Sequence, residues 1–118
     1  MDRSKELEKV IEKLETSNTE EEIVRNLTKI VKGFSVPLYK NRILSNPYYK
    51  SLICDVKEEV RKEIDIIRES IVDEISAIDI ELKRTDNKYF DKLKELKREC
   101  ISLLYEIDER KKDIDRLI

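Results

Sequence analysis

Apolar residues recur along most of the chain at steps of three and four, with polar residues between them, which is the period of amphipathic helices. Leu7, Val10, Ile11 and Leu14 make a first short stripe over residues 3–15. "TSNTEEE" breaks it. Ser17, Asn18 and Thr19 are each followed by Glu three positions later, so a capping box can open the second helix in any of three registers. That helix carries Ile23, Leu27, Ile30 and Val31 on one face. Gly33 is its expected stop, and Lys29 and Lys32 sit in the last turn, where the helix dipole favours cations. Residues 34–46 read as an irregular elbow. Pro37 pushes Val36 toward an extended conformation, and "LYKNRILS" offers one helical turn.

Asn46 before Pro47 marks a new start, with a cap residue followed by proline at the first helical position. The stripe that follows is the longest in the chain: Ile53, Val56, Val60, Ile64, Ile67, Ile71, Ile75, Ile78 and Leu82. Its steps repeat every 11 residues, a period that keeps a helix nearly straight. Over residues 47–84 such a helix measures about 57 Å. Thr85, Asp86 and Asn87 are weak helix formers and interrupt the pattern. A last stripe then runs through Tyr89, Leu93, Leu96, Cys100, Leu103, Ile107, Arg110, Ile114 and Leu117, a heptad alternation with one basic intrusion at Arg110.

Two architectures fit this last pair of stripes. In the first, the chain turns back near residues 85–87. A reversal at 85–86 sets Leu82 against Tyr89, Ile78 against Leu93, Ile71 against Cys100 and Ile64 against Ile107. In the second, the stripe stays in phase across the break, and one continuous C-terminal helix of about 70 residues pairs in a parallel dimer. The coincidence of three weak formers with the polar gap favours the hairpin. The expected fold class is therefore all-α: a single helical domain over 1–118, with a short helical hairpin at 3–33, the elbow at 34–46 and a long antiparallel coiled-coil-like hairpin at 47–117. Arg110 falls opposite Val60, where its stem can lie over the apolar seam while its head stays in water.

Composition adds the class of protein. Of 118 residues, 44% are charged and 39% hydrophobic, with one Gly and two Pro, which suits long helices and coiled coils. The apolar residues are too numerous and too periodic for disorder. No apolar run is long enough to span a bilayer. The N-terminus "MDRSKELEKV" is charged and amphipathic, unlike a signal peptide, so the expected location is cytoplasmic. Gln, His and Trp are absent while Lys, Glu and Ile abound, a bias shared by thermophilic proteins and by proteins of AT-rich genomes. Cys54 and Cys100 are expected to be small buried or half-buried apolar residues rather than a disulfide.

Candidate chemistry is sparse. With no His and two distant Cys, a zinc site lacks ligands. Asp65, Glu69 and Asp73 share a helix face, and such a row could hold Mg²⁺. The pairs Glu12/Glu15 and Glu106/Glu109 loosely resemble the helical metal sites of all-α nucleotide pyrophosphohydrolases. Those sites need several pairs converging beside a pocket, and nothing in the spacing makes these converge. A solvated face laced with i,i+4 ion pairs explains the same residues. No Gly-rich phosphate loop and no nucleophile motif occurs. The expectation is a non-enzymatic protein without metal, cofactor or small-molecule substrate. The remaining enzymatic reading is a metal-dependent all-α hydrolase.

Charge patterning supplies the one functional clue. From Ile23 to Cys54 the chain holds six Lys or Arg and no Asp or Glu, while the whole carries a net −2, leaving −8 for the rest. Lys40, Arg42 and Lys50 are interleaved with Phe34, Tyr39, Tyr48 and Tyr49. Cations beside aromatic rings suit an acidic protein surface, and also single-stranded nucleic acid. A purely structural role competes: the rings pack the elbow, and the cations neutralise acidic helices within the same chain. Along the long hairpin, Ile66, Val72, Ile80, Phe90 and Ile101 flank the seam and are left partly bare. Ile66, Ile80, Phe90 and Ile101 are accordingly the candidate oligomer interface. The leading expectation is a helical interaction or assembly module, a homodimer or the partner of another helical protein. The runner-up is a small nucleic-acid-binding protein using the elbow.

Overall fold

The computed structural model describes residues 3–84 and 88–117, and they fold into five helices with no strand among them: α1 (Arg3–Glu15), α2 (Glu20–Gly33), α3 (Val36–Leu44), α4 (Pro47–Leu82) and α5 (Phe90–Asp115). The all-α expectation holds. The expected break at 85–87 lies outside the described residues. Helix α4 nevertheless ends at Leu82 and α5 begins at Phe90. Ion pairs within the one chain set the two antiparallel, so the hairpin replaces the continuous-helix alternative.

Local chemistry explains the helix ends. Of the three capping registers, Thr19 is used: its Oγ1 accepts from the Glu22 backbone N–H at 3.2 Å, and Glu22 Oε2 accepts from the Asn18 N–H. Helix α2 stops at Gly33 as expected, but without the left-handed cap. Gly33 is the last residue of α2, has no positive φ, and the chain leaves through extended Phe34. Asn46 caps α4 as expected, its Oδ1 accepting from the N–H groups of Tyr48 and Tyr49 at 2.9 and 3.4 Å.

The elbow is the main correction. Residues 36–44 form α3, not an irregular segment. Pro37 falls in the first turn, where a missing N–H costs nothing. The Val36 N–H donates to Asp113 Oδ2 of α5 at 2.9 Å, and the Leu38 N–H donates to the Ser35 carbonyl. Two donors of that turn are thus satisfied, one of them by a carboxylate 77 residues away. Val36, Tyr39 and Ile43 then fall on one buried face at steps of three and four.

The chain divides into two compact units, Met1–Arg61 with Asp113–Ile118, and Lys62–Lys112. The first is built around Leu7, Ile11 and Leu14 of α1, Leu27, Ile30 and Val31 of α2, and the apolar face of α3. Ile53, Val56 and Val60 of α4 and Ile114 of α5 add to it, with Leu117 just beyond α5. The second is the α4/α5 hairpin, in which only Ile78 and Cys100 are fully buried among the described residues. Its register differs from the expected pairing. Asp79 meets Lys97 at 2.6 Å, Arg68 meets Asp108 at 2.9 Å and Asp65 meets Lys111 at 2.6 Å. These pairs displace α5 by about five residues, roughly 7 Å, from the register that set Ile78 against Leu93. In this register ion pairs run along one flank, and Leu104, outside the expected stripe, is half-buried.

Candidate protein-interaction surface

The elbow residues do not converge on one surface. Phe34 and Tyr39 are buried, so neither ring is offered to a ligand. Lys40 Nζ donates to the Arg116 carbonyl at 2.7 Å, at the C-terminal end of α5, where the helix dipole favours a cation. Arg42 pairs with Glu8 and lies 3.8 Å from Glu15, both on α1. Tyr49 is half-buried, and its hydroxyl is pushed above the usual tyrosine value by burial and then by the Glu15 charge. Tyr48 and Lys50 remain exposed; the two tyrosine rings stand 6.5 Å apart and tilted. Two of the three cations thus hold α1 and α5 to the elbow.

The hairpin presents the reverse picture. Twelve large apolar side chains are exposed among the described residues, and ten of them lie within Lys62–Lys112; of seventeen buried ones, fifteen lie in the other unit. Ile66, Ile80, Phe90 and Ile101 are all exposed, but on different sides. Ile66 and Ile80 follow half-buried Ile64 and buried Ile78 by two residues, which turns them about 200° away, to the back of α4. Ile101 follows buried Cys100 by one residue and faces the ion-paired flank.

A different set lies together. Ile67, Leu96 and Leu103, assigned by the sequence to the intramolecular seam, are 53%, 40% and 47% exposed. They border the seam on the flank opposite the ion pairs. On that flank α4 reads Glu63, Ile67, Glu74, Glu81 at steps of four, seven and seven, and α5 reads Lys92, Leu96, Leu103, Arg110 at the same steps. One row is acidic around an apolar residue; the other is basic around two. The signal in the sequence was the doubled apolar residues Ile66–Ile67 and Leu103–Leu104: on a helix, two neighbours cannot both face one partner helix.

On the opposite flank, the Arg68 guanidinium donates to Asp108 Oδ1 at 2.9 Å. The hydrogen bond from Arg68 holds the Asp108 carboxyl below the ordinary aspartate value against slight desolvation, with the charges of Arg68, Lys111 and Lys112 adding to it. The Arg68 guanidinium is raised by the same bond. Asp65, one of the three carboxylates in the candidate Mg²⁺ row, is held by Lys111. Among the described residues no cluster of metal-ligating side chains forms, and no helix is long and apolar enough to cross a membrane.

Comparison with family models, curated proteins and solved structures gives no match. The geometry of the chain itself therefore carries the functional reading.

Proposed function

We propose that this protein is a non-enzymatic helical interaction module, whose contact surface is the apolar face of the 62–112 hairpin. The observation that carries the reading is the segregation of exposed apolar side chains into that hairpin while the other unit closes its own core. Of these side chains Ile67, Leu96 and Leu103 lie together on one flank, and adjoining exposed apolar side chains mark contact sites. Two helices cannot cover a stripe as wide as this one, whereas three or four can. The nucleic-acid reading of the elbow draws less support. Two of its rings are buried, and Lys40 and Arg42 are engaged with α5 and α1. The overall net charge of −2 does not favour phosphate.

Light scattering and an apolar fluorescent dye test the reading on the full chain. The wild type either associates or, as a single-chain species, binds dye. Leu96→Lys with Leu103→Lys removes whichever behaviour is present and leaves helical circular dichroism in place. A single-chain species that binds no dye, unchanged by the double substitution, refutes it.

A further inference from the structure

We infer that the occupant of this face is a second copy of the chain, packed hairpin to hairpin so that α4 of each copy lies along α5 of the other. The inference rests on the interaction-module reading and adds the partner and its orientation.

Charge carries the argument. The face is bordered on α4 by Glu63, Glu74 and Glu81, the last also 3.6 Å from Arg84, and on α5 by Lys92 and Arg110, with Glu99 and Glu106 on the outer side of that row. A two-fold dimer is self-complementary, so each row meets either itself or the other row of its partner. If α4 met α4, three glutamates of each copy would face each other, and like charges placed across a contact disfavour it. If α4 meets α5, the acidic row of each copy runs beside the basic row of the other, and symmetry makes the match twice. Ile67, Leu96 and Leu103 of both copies then close over Ile71, Ile78 and Cys100, producing a four-helix arrangement from two hairpins.

The area is sufficient. Residues 62–82 of α4 extend about 30 Å, and two helices side by side are about 20 Å wide, giving roughly 600 Å² per copy. The total of about 1,200 Å² sits at the lower end of stable specific interfaces. The ion pairs Asp79–Lys97, Arg68–Asp108 and Asp65–Lys111 occupy the opposite flank, so dimer formation leaves them untouched.

Sedimentation equilibrium of the full chain tests this with four variants. The wild type should have twice the 14.1 kDa chain mass, and Leu103→Lys should be a single chain of unchanged helicity. Glu81→Lys alone and Lys92→Glu alone should each weaken the dimer about tenfold, since each places like charges across both symmetric contacts. The two together should return the affinity to within about threefold of wild type, the coupling expected of facing charges. A wild type that stays single-chain at micromolar concentration overturns the second copy as occupant. In that case dye binding removed by Leu96→Lys and Leu103→Lys leaves the interaction surface intact for another helical partner, and absence of dye binding removes both. A dimer indifferent to the single reversals overturns the α4-to-α5 pairing.

Discussion

Asp108 and Arg68 show what a single contact does here. Both are close to half exposed, so their pairing orders side chains more than it stabilises the fold. Its signature is in titration. The folded-state pKa of Asp108 is lowered, so the contact contributes above the unfolded value of about 3.9 and is lost as pH falls through the folded value. Carboxyl-carbon NMR should place the Asp108 midpoint below that of an unstructured aspartate, and Arg68→Gln should bring it back up. A midpoint at the unstructured value in the wild type would mean that the pair does not persist in solution. Lys40 and Arg42 make a second point at this scale. Residue type marked them as cations in an acid-free stretch, but only position could assign them to the Arg116 carbonyl and to Glu8 and Glu15.

Among the elements, α3 depends most on what surrounds it. Nine residues are too few for a stable isolated helix, and Ser35 provides no side-chain cap. Asp113 supplies that cap from α5. Asp113→Ala leaves the Val36 N–H without this acceptor in a half-buried setting, and should cost about 1–2 kcal/mol. For a chain of this size that is a fall of roughly 4–12 °C in Tm. Thermal unfolding by circular dichroism checks it, with Asp113→Asn, which keeps an acceptor, expected to lose less. An unchanged Tm in the alanine variant would show that water replaces the carboxylate without penalty. The helices with long stripes and caps of their own sequence, α1, α2, α4 and α5, emerge within a few residues of their expected bounds. Helix α3 was missed because its cap comes from the far end of the chain and its stripe of Val36, Tyr39 and Ile43 spans barely two turns.

At the scale of the molecule, the core is unevenly distributed. The first unit buries side chains from all five of the helices and their flanking turns, whereas the hairpin buries two fully. Opening free energy follows local burial. Hydrogen exchange on the single-chain Leu103→Lys variant should therefore find the amides of Leu27, Ile30, Val31, Ile53, Val56 and Val60 slowest, and those of residues 66–80 and 93–105 faster. In an associated wild type the hairpin amides should slow while the first set changes little. Equal protection of both sets in the single-chain variant would contradict this distribution.

The amino-acid sequence by itself determined the helical class, four of the five helices and the broad apolar surface of the last two. These follow from the 3.6-residue period and from local caps, both of which act within a few residues. Tertiary structure decided the identity of α3, the role of the elbow cations, the register of the hairpin and the division of its stripe between seam and open face. Each of these depends on a contact between residues about twenty to eighty positions apart. A stripe wider than one partner helix shows that more than one neighbour is wanted, but not which of its edges the first neighbour takes. Here the salt bridges run on the Asp65, Arg68 and Asp79 side of α4, and Ile67, Leu96 and Leu103 are left on the other side.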